Sequence, residues 1–257
     1  MPVQPWRTGK VIRIIDETPS TRRYWIEVPE LSSFDFQPGQ FVTLDLPIHE
    51  KPARRWRSYS IASWPDGTNV FELVIVLLEG GAGTTWLFNN VVVGSELTLR
   101  GPQGVFTLPD PIDRDLFFIC TGTGVAPFRS MAHHVLNNNI PHQHIYLIFG
   151  CRKFGDALYA PELKELTRNV GSFEYITTYS REEPGNYDHL VRMGYVHQVY
   201  EDICRAKTVR SAENPEQMIP PPAYFFLCGW KNMIDEAKQR IMALGYDRKA
   251  IHQELYG

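Results

Sequence analysis

Four consecutive residues, Arg57-Ser58-Tyr59-Ser60, combine a cation, an aromatic ring and a hydroxyl group within the reach of one ligand. An arginine fork binds phosphate oxygens in a bidentate manner, and a tyrosine ring offers a flat apolar surface. Because alternate side chains share one face of a strand, we expect Arg57 and Tyr59 to point at the same ligand, with Ser60 at its edge. A planar, phosphorylated cofactor such as a flavin needs this set of groups.

Two glycine-rich segments are each placed to open a helix and to approach a phosphate. Gly122-Thr123-Gly124 follows an apolar stretch, and its predicted turn lets the backbone approach a pyrophosphate at a helix N-terminus. Pro127 stands where the usual dinucleotide motif has a third glycine, and proline starts a helix easily. Gly81-Ala82-Gly83-Thr84-Thr85 repeats the pattern with two hydroxyls. Taken singly, a plain strand–helix turn and an ordinary helix N-cap explain these segments as well.

The composition bounds the class of protein. The 257 residues, 43% hydrophobic and 21% charged, suit one large or two ordinary soluble domains. The net charge of −3 gives no sign of a nucleic-acid binder, although Lys51, Arg54, Arg55 and Arg57 form a local basic cluster. The four cysteines lack the close spacing of an iron–sulfur cluster, and we expect no metal site. Without a secretory signal or an apolar run of about 18 residues, a cytoplasmic protein with no membrane insertion is expected.

The first part of the chain has the pattern of antiparallel β structure. Short runs rich in β-branched and aromatic residues are separated by turn signals such as Pro38-Gly39 and Asp66-Gly67. The predicted strands cover residues 11–15, 23–28, 40–44, 71–77 and 96–100, and a helix is predicted over 84–90. Short strands at even spacing predict a closed antiparallel β-barrel.

From Leu116 onward, apolar strands alternate with helices. Strands are predicted over 116–120, 145–149, 173–178 and 223–228, and helices over 128–136, 160–167 and 232–244. This alternation predicts a parallel sheet covered on both faces. The expected fold is two-domain, with an antiparallel β-barrel flavin-binding domain over 1–110 and an α/β parallel-sheet nucleotide-binding domain over 111–257. Residues 205–222, which include three consecutive prolines, are expected to form a mobile surface loop.

Four motifs, each in a suitable strand or loop context, together resemble the ferredoxin–NADP⁺ reductase family. In chain order they are Arg-x-Tyr-Ser, Gly-x-x-Thr-x-x-Leu, Gly-Thr-Gly-x-Ala-Pro and Cys-Gly-x-x-x-Met. The resemblance extends from Pro38-Gly39-Gln40-Phe41 to the C-terminus and is to bacterial-type members without a fused iron–sulfur domain.

For the flavin half, the resemblance implies that FAD is the cofactor and assigns its neighbours. Arg57 would pair with the flavin phosphates, Tyr59 would stack on the isoalloxazine, and Ser60 would lie near flavin N5. Ile61 continues the same strand. The FAD pyrophosphate would be held by Gly83, Thr84 and Thr85.

For the nicotinamide half, the resemblance implies NADP(H). Thr121 to Pro127, with Thr123 and Gly124 at its centre, would accept the pyrophosphate and ribose. Ser180 and Arg181, with Arg152 as a second cation, would bind the 2′-phosphate of NADP, whereas NAD binding favours a carboxylate there. Arg192 and Tyr195 match the family pattern only loosely, and an ordinary surface arginine explains Arg192 as well.

The last of the four motifs and the C-terminus supply the remaining candidates. The resemblance makes Cys228 a polarizable wall beside the site of hydride transfer, and a buried core cysteine is the alternative. Family members often end with a carboxylate and, two positions later, an aromatic residue that covers the flavin; Glu254 and Tyr256 occupy these places, with Gly257 beyond them.

The function implied is exchange of hydride with NADP(H) and of single electrons with ferredoxin or flavodoxin. We expect the basic cluster beside Arg57 to attract such an acidic carrier. Two alternatives stay open: a flavin-only reductase component of an oxygenase system, and a non-catalytic electron-transfer subunit of a larger complex. Iron–sulfur versions of both would need clustered cysteines, which the sequence lacks.

Overall fold

The computed structural model describes residues 4–183, 185, 189–214, 216 and 218–256. The chain divides into two compact units, Met1–Leu108 with Ala126–Ile140 and Pro109–Val125 with Pro141–Gly257. Each unit has its own sheet and its own apolar core. The domain limits 1–110 and 111–257 stay a prediction, and the compact units assign residues 126–140 to the first part of the chain.

The first unit contains an antiparallel sheet that closes on itself. Its elements are β1 Trp6–Thr18, β2 Thr21–Glu27, β3 Phe41–Asp45, β4 Trp56–Ser60, β5 Val70–Val76, α1 Ala82–Asn90 and β6 Glu96–Gln103. The six strands lie in the order β4-β3-β6-β1-β2-β5. An isolated bridge between Ile61, just after β4, and Leu73 of β5 joins the two edge strands. The antiparallel barrel predicted from the strand spacing is confirmed.

Period-two alternation fills the interior of this barrel. On β6, Leu97 and Leu99 are buried and Thr98 is exposed, as alternate side chains of a strand require. Val42 and Leu44 on β3 are fully buried and belong to the same core. Each such aliphatic side chain contributes roughly 1.5–3 kcal/mol relative to exposure in water. The core therefore fixes which side chains of the neighbouring strands face outward.

The second unit is built on a parallel sheet. Its main elements are β7 Asp115–Thr121, β8 Ile145–Cys151, α3 Ala160–Asn169, β9 Phe173–Tyr179, β10 Val191–Met193, α4 Val196–Lys207, β13 Ala223–Gly229, α5 Lys231–Ala243 and β14 Ile251–Leu255. Helix α2 Val125–Asn137 follows β7 in the chain, but from residue 126 onward it belongs to the first unit. The strands lie in the order β10-β9-β8-β7-β13-β14, every pair parallel. The predicted parallel sheet is thereby confirmed. Within the described residues, none of the helices combines the length and hydropathy needed to cross a membrane.

The prediction of a loop over residues 205–222 is wrong at its start and in its middle. Residues 205–207 complete α4, and two short strands, β11 Val209–Arg210 and β12 Met218–Ile219, pair antiparallel. The sequence prediction missed α4 although its buried Val196, Val199 and Cys204 have helical spacing. It also missed β14, which is an edge strand with no fully buried residue and therefore has no apolar run.

Helix α2 is fixed to the barrel by a buried group of charges. Arg129 donates from Nη1 to the Ala62 carbonyl at 2.8 Å and to Glu72 Oε2 at 3.1 Å. Arg23 donates from Nε to Glu72 Oε1 at 2.6 Å, so one carboxylate joins two guanidiniums. Arg129 is 4% exposed and Glu72 is 2% exposed. A buried charge is tolerated only when it is paired and hydrogen-bonded, and this group meets that condition.

Replacement of Arg129 by methionine is expected to destabilise the first unit by about 3 kcal/mol, because it leaves Glu72 and the Ala62 carbonyl with fewer buried donors. The free energy of unfolding, from urea titrations, measures the loss. Glu30→Gln, which removes the partner of Arg7 in an exposed pair, is the matched control and is expected to cost less than about 1 kcal/mol. Equal losses in both variants would contradict this account of α2.

Candidate functional site

The strand β4 presents its motif as alternation predicts. In the β3–β4 register, Leu44 lies opposite Arg57 and Val42 lies opposite Tyr59, so Arg57 and Tyr59 share the face of two core residues. Ser60 lies on the other face and is 4% exposed. The common direction expected for Arg57 and Tyr59 is therefore confirmed, whereas their roles toward a cofactor stay predictions.

The guanidinium stem of Arg57 packs against the first turn of α1. A Cβ added to Gly83 would lie 2.9 Å from Arg57 Cγ and 3.2 Å from Arg57 Nε, so only glycine allows this approach. Arg57 Nη1 donates to the carbonyls of Arg54 and Trp56, at 3.1 and 2.7 Å, which fixes the direction of the fork. The structure thus brings together two motifs that are separated by about a tenth of the chain.

The first turn of α1 has neither a side-chain cap nor an acidic residue, which would suit an anion. Its N-cap, Gly81, has an extended backbone and no side-chain cap, and no acidic residue lies in the first turn. The Thr84 hydroxyl accepts from the Leu78 N–H at 3.1 Å and donates to the Gly81 carbonyl at 3.2 Å, so it stabilises the turn. Thr85 is exposed. Uncapped N–H groups and a helix dipole favour a phosphate beside Arg57.

The environment of Tyr59 keeps its phenol neutral. Burial raises the pKa of Tyr59 far above its usual value, and the nearby charge of Arg57 offsets only part of that rise. Just beyond, the Ile61 N–H donates to the Gln40 carbonyl at 3.0 Å, which extends β-type pairing past the end of β4. A neutral aromatic ring held on this strand can serve as a flat contact surface for a planar ligand.

In the second unit, two turns approach each other backbone to backbone. A Cβ on Gly124 would lie 2.4 Å from the Cys228 carbonyl oxygen, and a Cβ on Gly229 would lie 2.4 Å from Thr121 Oγ1. Gly122–Gly124 forms a 3-10 turn that runs directly into α2. The turn predicted to bind phosphate, which includes Thr123, is therefore packed against Cys228, the residue predicted to lie beside the nicotinamide.

Two buried hydroxyl groups lie near these turns without a hydrogen-bond partner among the described residues. They are Thr121 Oγ1 and Thr178 Oγ1. The position that a Cβ on Gly150 would take lies 3.3 Å from Thr178 Oγ1 and 3.2 Å from the methyl carbon of Thr121, so the two threonine side chains lie on either side of Gly150. A buried hydroxyl group without a partner is costly, so these two are candidates for contact with a bound ligand. Thr178 was missed from the sequence, although a polar residue at the carboxyl end of an apolar parallel strand is a usable signal.

Cys228, Glu254 and Tyr256 come together at the edge of the parallel sheet. Cys228 of β13 is in register with Glu254 of β14, and the Tyr256 N–H donates to the Gly229 carbonyl at 3.2 Å. Burial raises the pKa of the Cys228 thiol well above its usual value, and the Glu254 carboxylate raises it further, so the thiol stays neutral. A neutral thiol is a polarizable apolar contact and not a nucleophile. Gly257 lies outside the described residues.

The candidates for recognising a 2′-phosphate meet at the carboxyl ends of β8 and β9. The Ser180 N–H donates to the Cys151 carbonyl at 3.0 Å, and the Arg181 N–H donates to the Arg152 carbonyl at 3.0 Å. Both arginines are exposed, and in the part of the chain that the structure describes neither guanidinium has an ion-pair partner. One hydroxyl group and two guanidinium groups without an ion-pair partner in this part of the structure suit a phosphate group.

Two other candidate cations are already neutralised. Arg192 Nη1 is 2.7 Å from Asp202 Oδ2, which supports the reading of Arg192 as an ordinary surface arginine. Tyr195 is 72% exposed. In the basic cluster, Arg55 binds Asp45 through two hydrogen bonds of 2.6 Å. The free positive charge of that cluster is therefore smaller than its sequence suggests.

Replacement of Gly83 by alanine is expected to weaken binding of a flavin dinucleotide about tenfold or more, because the added Cβ displaces Arg57. The same change favours the helix itself by about 1 kcal/mol, so folding is expected to survive. Titration of the apoprotein with FAD, followed by flavin fluorescence, measures the affinity. Gly155→Ala is the matched control because its Cβ would meet nothing within 4 Å. If the Gly83→Ala variant binds FAD with wild-type affinity, this turn does not bind the phosphate.

Family models match most of the chain in two consecutive segments. Residues 8–108 match an oxidoreductase FAD-binding domain, and residues 118–239 match an oxidoreductase NAD-binding domain. The prediction of FAD and a nicotinamide dinucleotide as cofactors is confirmed by these two matches, and the Arg57–Gly83 cradle and the close-packed turn at Gly124 fit phosphate groups of both.

Similar proteins differ in the systems to which they belong. Ferredoxin--NADP reductase B of Sorangium cellulosum (strain So ce56) is 32% identical over 249 residues, which cover 96% of this chain and 96% of that protein. The reductase component of propane 2-monooxygenase from Mycolicibacterium goodii is 31% identical over 187 residues, 72% of this chain and 51% of that protein. The glycine betaine monooxygenase reductase subunit of Pseudomonas aeruginosa (strain UCBPP-PA14) is 29% identical, and the chain spans 66% of its length.

Solved structures share the fold. A ferredoxin NADP⁺ reductase from Neisseria gonorrhoeae, solved with bound FAD and NADP, has a TM-score of 0.77 at 22% identity, covering 97% of this chain and 98% of that one. An Amycolatopsis cytochrome P450 reductase has a TM-score of 0.80 at 24% identity, covering 98% of this chain and 70% of that one. With the family models, the motifs and the full-length relative, these likenesses lead to one conclusion: the chain belongs to the ferredoxin–NADP⁺ reductase family of flavin-dependent oxidoreductases.

Proposed function

We propose that the protein is an FAD-dependent reductase that exchanges hydride with NADP(H) and single electrons with ferredoxin or flavodoxin. The packing of Arg57 against the uncapped turn at Gly83 carries the proposal, since it would suit a phosphate next to a strand that presents a neutral tyrosine. A relative described as a ferredoxin--NADP reductase, similar over 96% of both chains, supports the same activity.

On the flavin side, the residues of β4 and α1 would bind and orient. Arg57 and the N–H groups of Gly83, Thr84 and Thr85 would hold the FAD pyrophosphate, and Tyr59 would contact the ring face. Ser60 and Ile61 would lie at its edge, with the Ser60 hydroxyl able to donate to a ring nitrogen or accept from it. Bound FAD supplies the conversion between two-electron and one-electron chemistry, and the protein sets distance and polarity.

On the nicotinamide side, the close-packed turns would orient the dinucleotide. Thr123 and Gly124 would bind its pyrophosphate at the start of α2. The neutral thiol of Cys228 and the carboxylate of Glu254 would line the nicotinamide end, with Tyr256 as the proposed stacking residue. Productive hydride transfer needs the reacting atoms roughly 3–3.5 Å apart, which is an orienting task for these side chains.

Preference for NADP(H) over NAD(H) rests on one edge of the parallel sheet. Ser180, Arg181 and Arg152 offer a hydroxyl and two exposed guanidiniums there, and the Arg181 N–H donates to the Arg152 carbonyl at 3.0 Å. Glu182 accepts from the Phe154 N–H at 2.5 Å, so its carboxylate is engaged in the turn. A 2′-phosphate is therefore favoured over the free ribose hydroxyl of NAD.

The carrier would be attracted by the free cations of the basic cluster. Lys51 and Arg54 are exposed; Lys51 precedes the 3-10 turn Pro52–Arg54 that leads toward β4, and Arg54 is its last residue. Since Arg55 is bound to Asp45, these two side chains supply most of the uncompensated charge there. Positive charge beside β4 would attract an acidic protein and raise its association rate.

A second candidate function is the reductase component of an oxygenase system. Relatives named as reductase parts of propane 2-monooxygenase and glycine betaine monooxygenase favour it, and both are longer than the region matched by this chain. In that case the electron acceptor would be the oxygenase component. A non-catalytic electron-transfer subunit is the third possibility, and reduction of bound flavin by NADPH in the isolated protein would exclude it.

Replacement of Arg181 by alanine is expected to raise KM for NADPH about tenfold and leave KM for NADH within twofold, since only NADPH has the phosphate. Steady-state dye reduction with each nucleotide measures both constants. Arg192→Ala, which removes a cation already bound to Asp202, is the matched control. An equal rise in KM for both nucleotides would show that Arg181 does not recognise the 2′-phosphate.

Reversal of Lys51 and Arg54 to glutamate is expected to slow ferredoxin reduction about tenfold at low salt and to flatten its salt dependence. NADPH-dependent reduction of a small dye is expected to stay near wild type, because the dye needs no steering. Stopped-flow traces at several ionic strengths give the comparison. If carrier kinetics stay unchanged while the charge has been reversed, this patch has no part in carrier binding.

A further inference from the structure

The last turn of helix α1 contacts a side chain of β2 that the cofactor assignments do not use. Arg22 donates from Nη1 to the Phe88 carbonyl at 2.8 Å, and Arg22 Cζ lies 4.6 Å from the centroid of the Phe88 ring. The two residues are 66 positions apart in the sequence. One side chain of the barrel wall therefore contacts both the backbone and a ring at the carboxyl end of α1.

A second contact fixes the direction of the Arg22 guanidinium. Arg22 Nε donates to Asp16 Oδ1 at 2.7 Å, and the two residues lie directly opposite each other in the β1–β2 register. The Arg22 side chain is 27% exposed, so most of it packs against the protein. Because the nitrogens of a guanidinium are held in one rigid plane, the pairing with Asp16 also fixes the nitrogen that binds the helix.

Helix α1 has few other anchors. Among its nine residues, all of which the structure describes, Gly83 and Leu87 are buried, and at a spacing of four they share one face. Gly83 has no side chain, so Leu87 is the buried side chain that anchors this face. A helix of this length is not stable on its own. Its last turn contains no basic residue, and Arg22 supplies the cation that the carboxyl end of a helix favours.

The position of the last turn determines the position of the first. Phe88 follows Gly83 by five residues, which is roughly 7.5 Å along the helix axis. At Gly83 there is no spare room, since an added Cβ would lie 2.9 Å from Arg57 Cγ. A displacement of α1 by about 1 Å is therefore enough to change the contact between its first turn and Arg57, because a binding site tolerates only about half an ångström of error.

We propose that Arg22 is a positioning residue for the FAD pyrophosphate. Its guanidinium fixes the last turn of α1, and the helix then places the N–H groups of its first turn beside Arg57. The inference rests on the proposed function, in which that turn binds FAD, and it adds a residue that acts from the far end of the helix. Loss of Arg22 should therefore weaken binding of a flavin that carries a pyrophosphate and spare one that lacks it.

The test titrates the apoprotein with FAD and, separately, with riboflavin, which has the isoalloxazine ring but no phosphate, and follows flavin fluorescence. Arg22→Met is expected to raise the Kd for FAD about tenfold and to leave the Kd for riboflavin within twofold of wild type. Arg22→Lys keeps a cation near the Phe88 carbonyl but loses the planar fork, so it is expected to raise the Kd for FAD only about threefold.

Arg13→Met is the matched control. Arg13 is also an arginine of the β1–β2 pair, and its Cζ lies 4.6 Å from the Trp25 ring centroid, so it stacks on an aromatic ring as Arg22 does. The contacts of Arg13 do not involve α1 within the described residues, and the control is expected to leave both dissociation constants unchanged.

The outcomes separate this inference from the function on which it rests. If Arg22→Met raises both dissociation constants equally, or changes neither, Arg22 does not position the pyrophosphate. Should Arg22→Met fail to fold, the same comparison in Arg22→Lys decides. If wild type binds FAD that NADPH does not reduce, the proposed function fails, whereas this inference is still decided by the two dissociation constants. If wild type binds no FAD, both fail.

Discussion

The contact between Arg57 and Gly83, in the first turn of α1, is the constraint on which the proposed flavin site depends. It places the guanidinium of Arg57 beside helix N–H groups without a side-chain cap, and both would suit the same phosphate. Neither group makes a selective site alone. Their approach is possible because β4 is an edge strand of the barrel and because no Cβ intervenes, so backbone geometry and side-chain chemistry are inseparable here.

In the second unit, too, two segments that are distant in sequence come into close contact at a glycine. The turn Gly122–Gly124 and the segment Cys228-Gly229 approach closely. A Cβ on Gly124 would overlap the Cys228 carbonyl, and a Cβ on Gly229 would overlap the Thr121 hydroxyl just before the turn. Strands β7 and β13 are parallel neighbours, so the turns that follow their carboxyl ends lie at the same edge of the sheet. Burial then keeps the Cys228 thiol neutral, which suits a polarizable contact surface.

Local chemistry was predictable from the sequence, and long-range pairing was not. The direction of Arg57 and Tyr59 followed from strand periodicity, and the turn before α2 followed from its glycines. By contrast, Glu72 pairs with Arg23 and Arg129, which are 49 and 57 residues away in the sequence, and no local sequence pattern predicts such a contact. Residues 251–255 lacked an apolar run because they form an edge strand, whereas α4 was missed although its buried residues recur at helical spacing.

The most direct test of the central claim is an anaerobic titration of the purified protein with NADPH, followed by its visible absorbance. The account predicts a yellow protein with FAD bound, whose flavin absorbance bleaches on addition of NADPH and returns when an acidic ferredoxin is added. A protein that binds no flavin when FAD is supplied, or whose bound flavin NADPH fails to reduce, would contradict it.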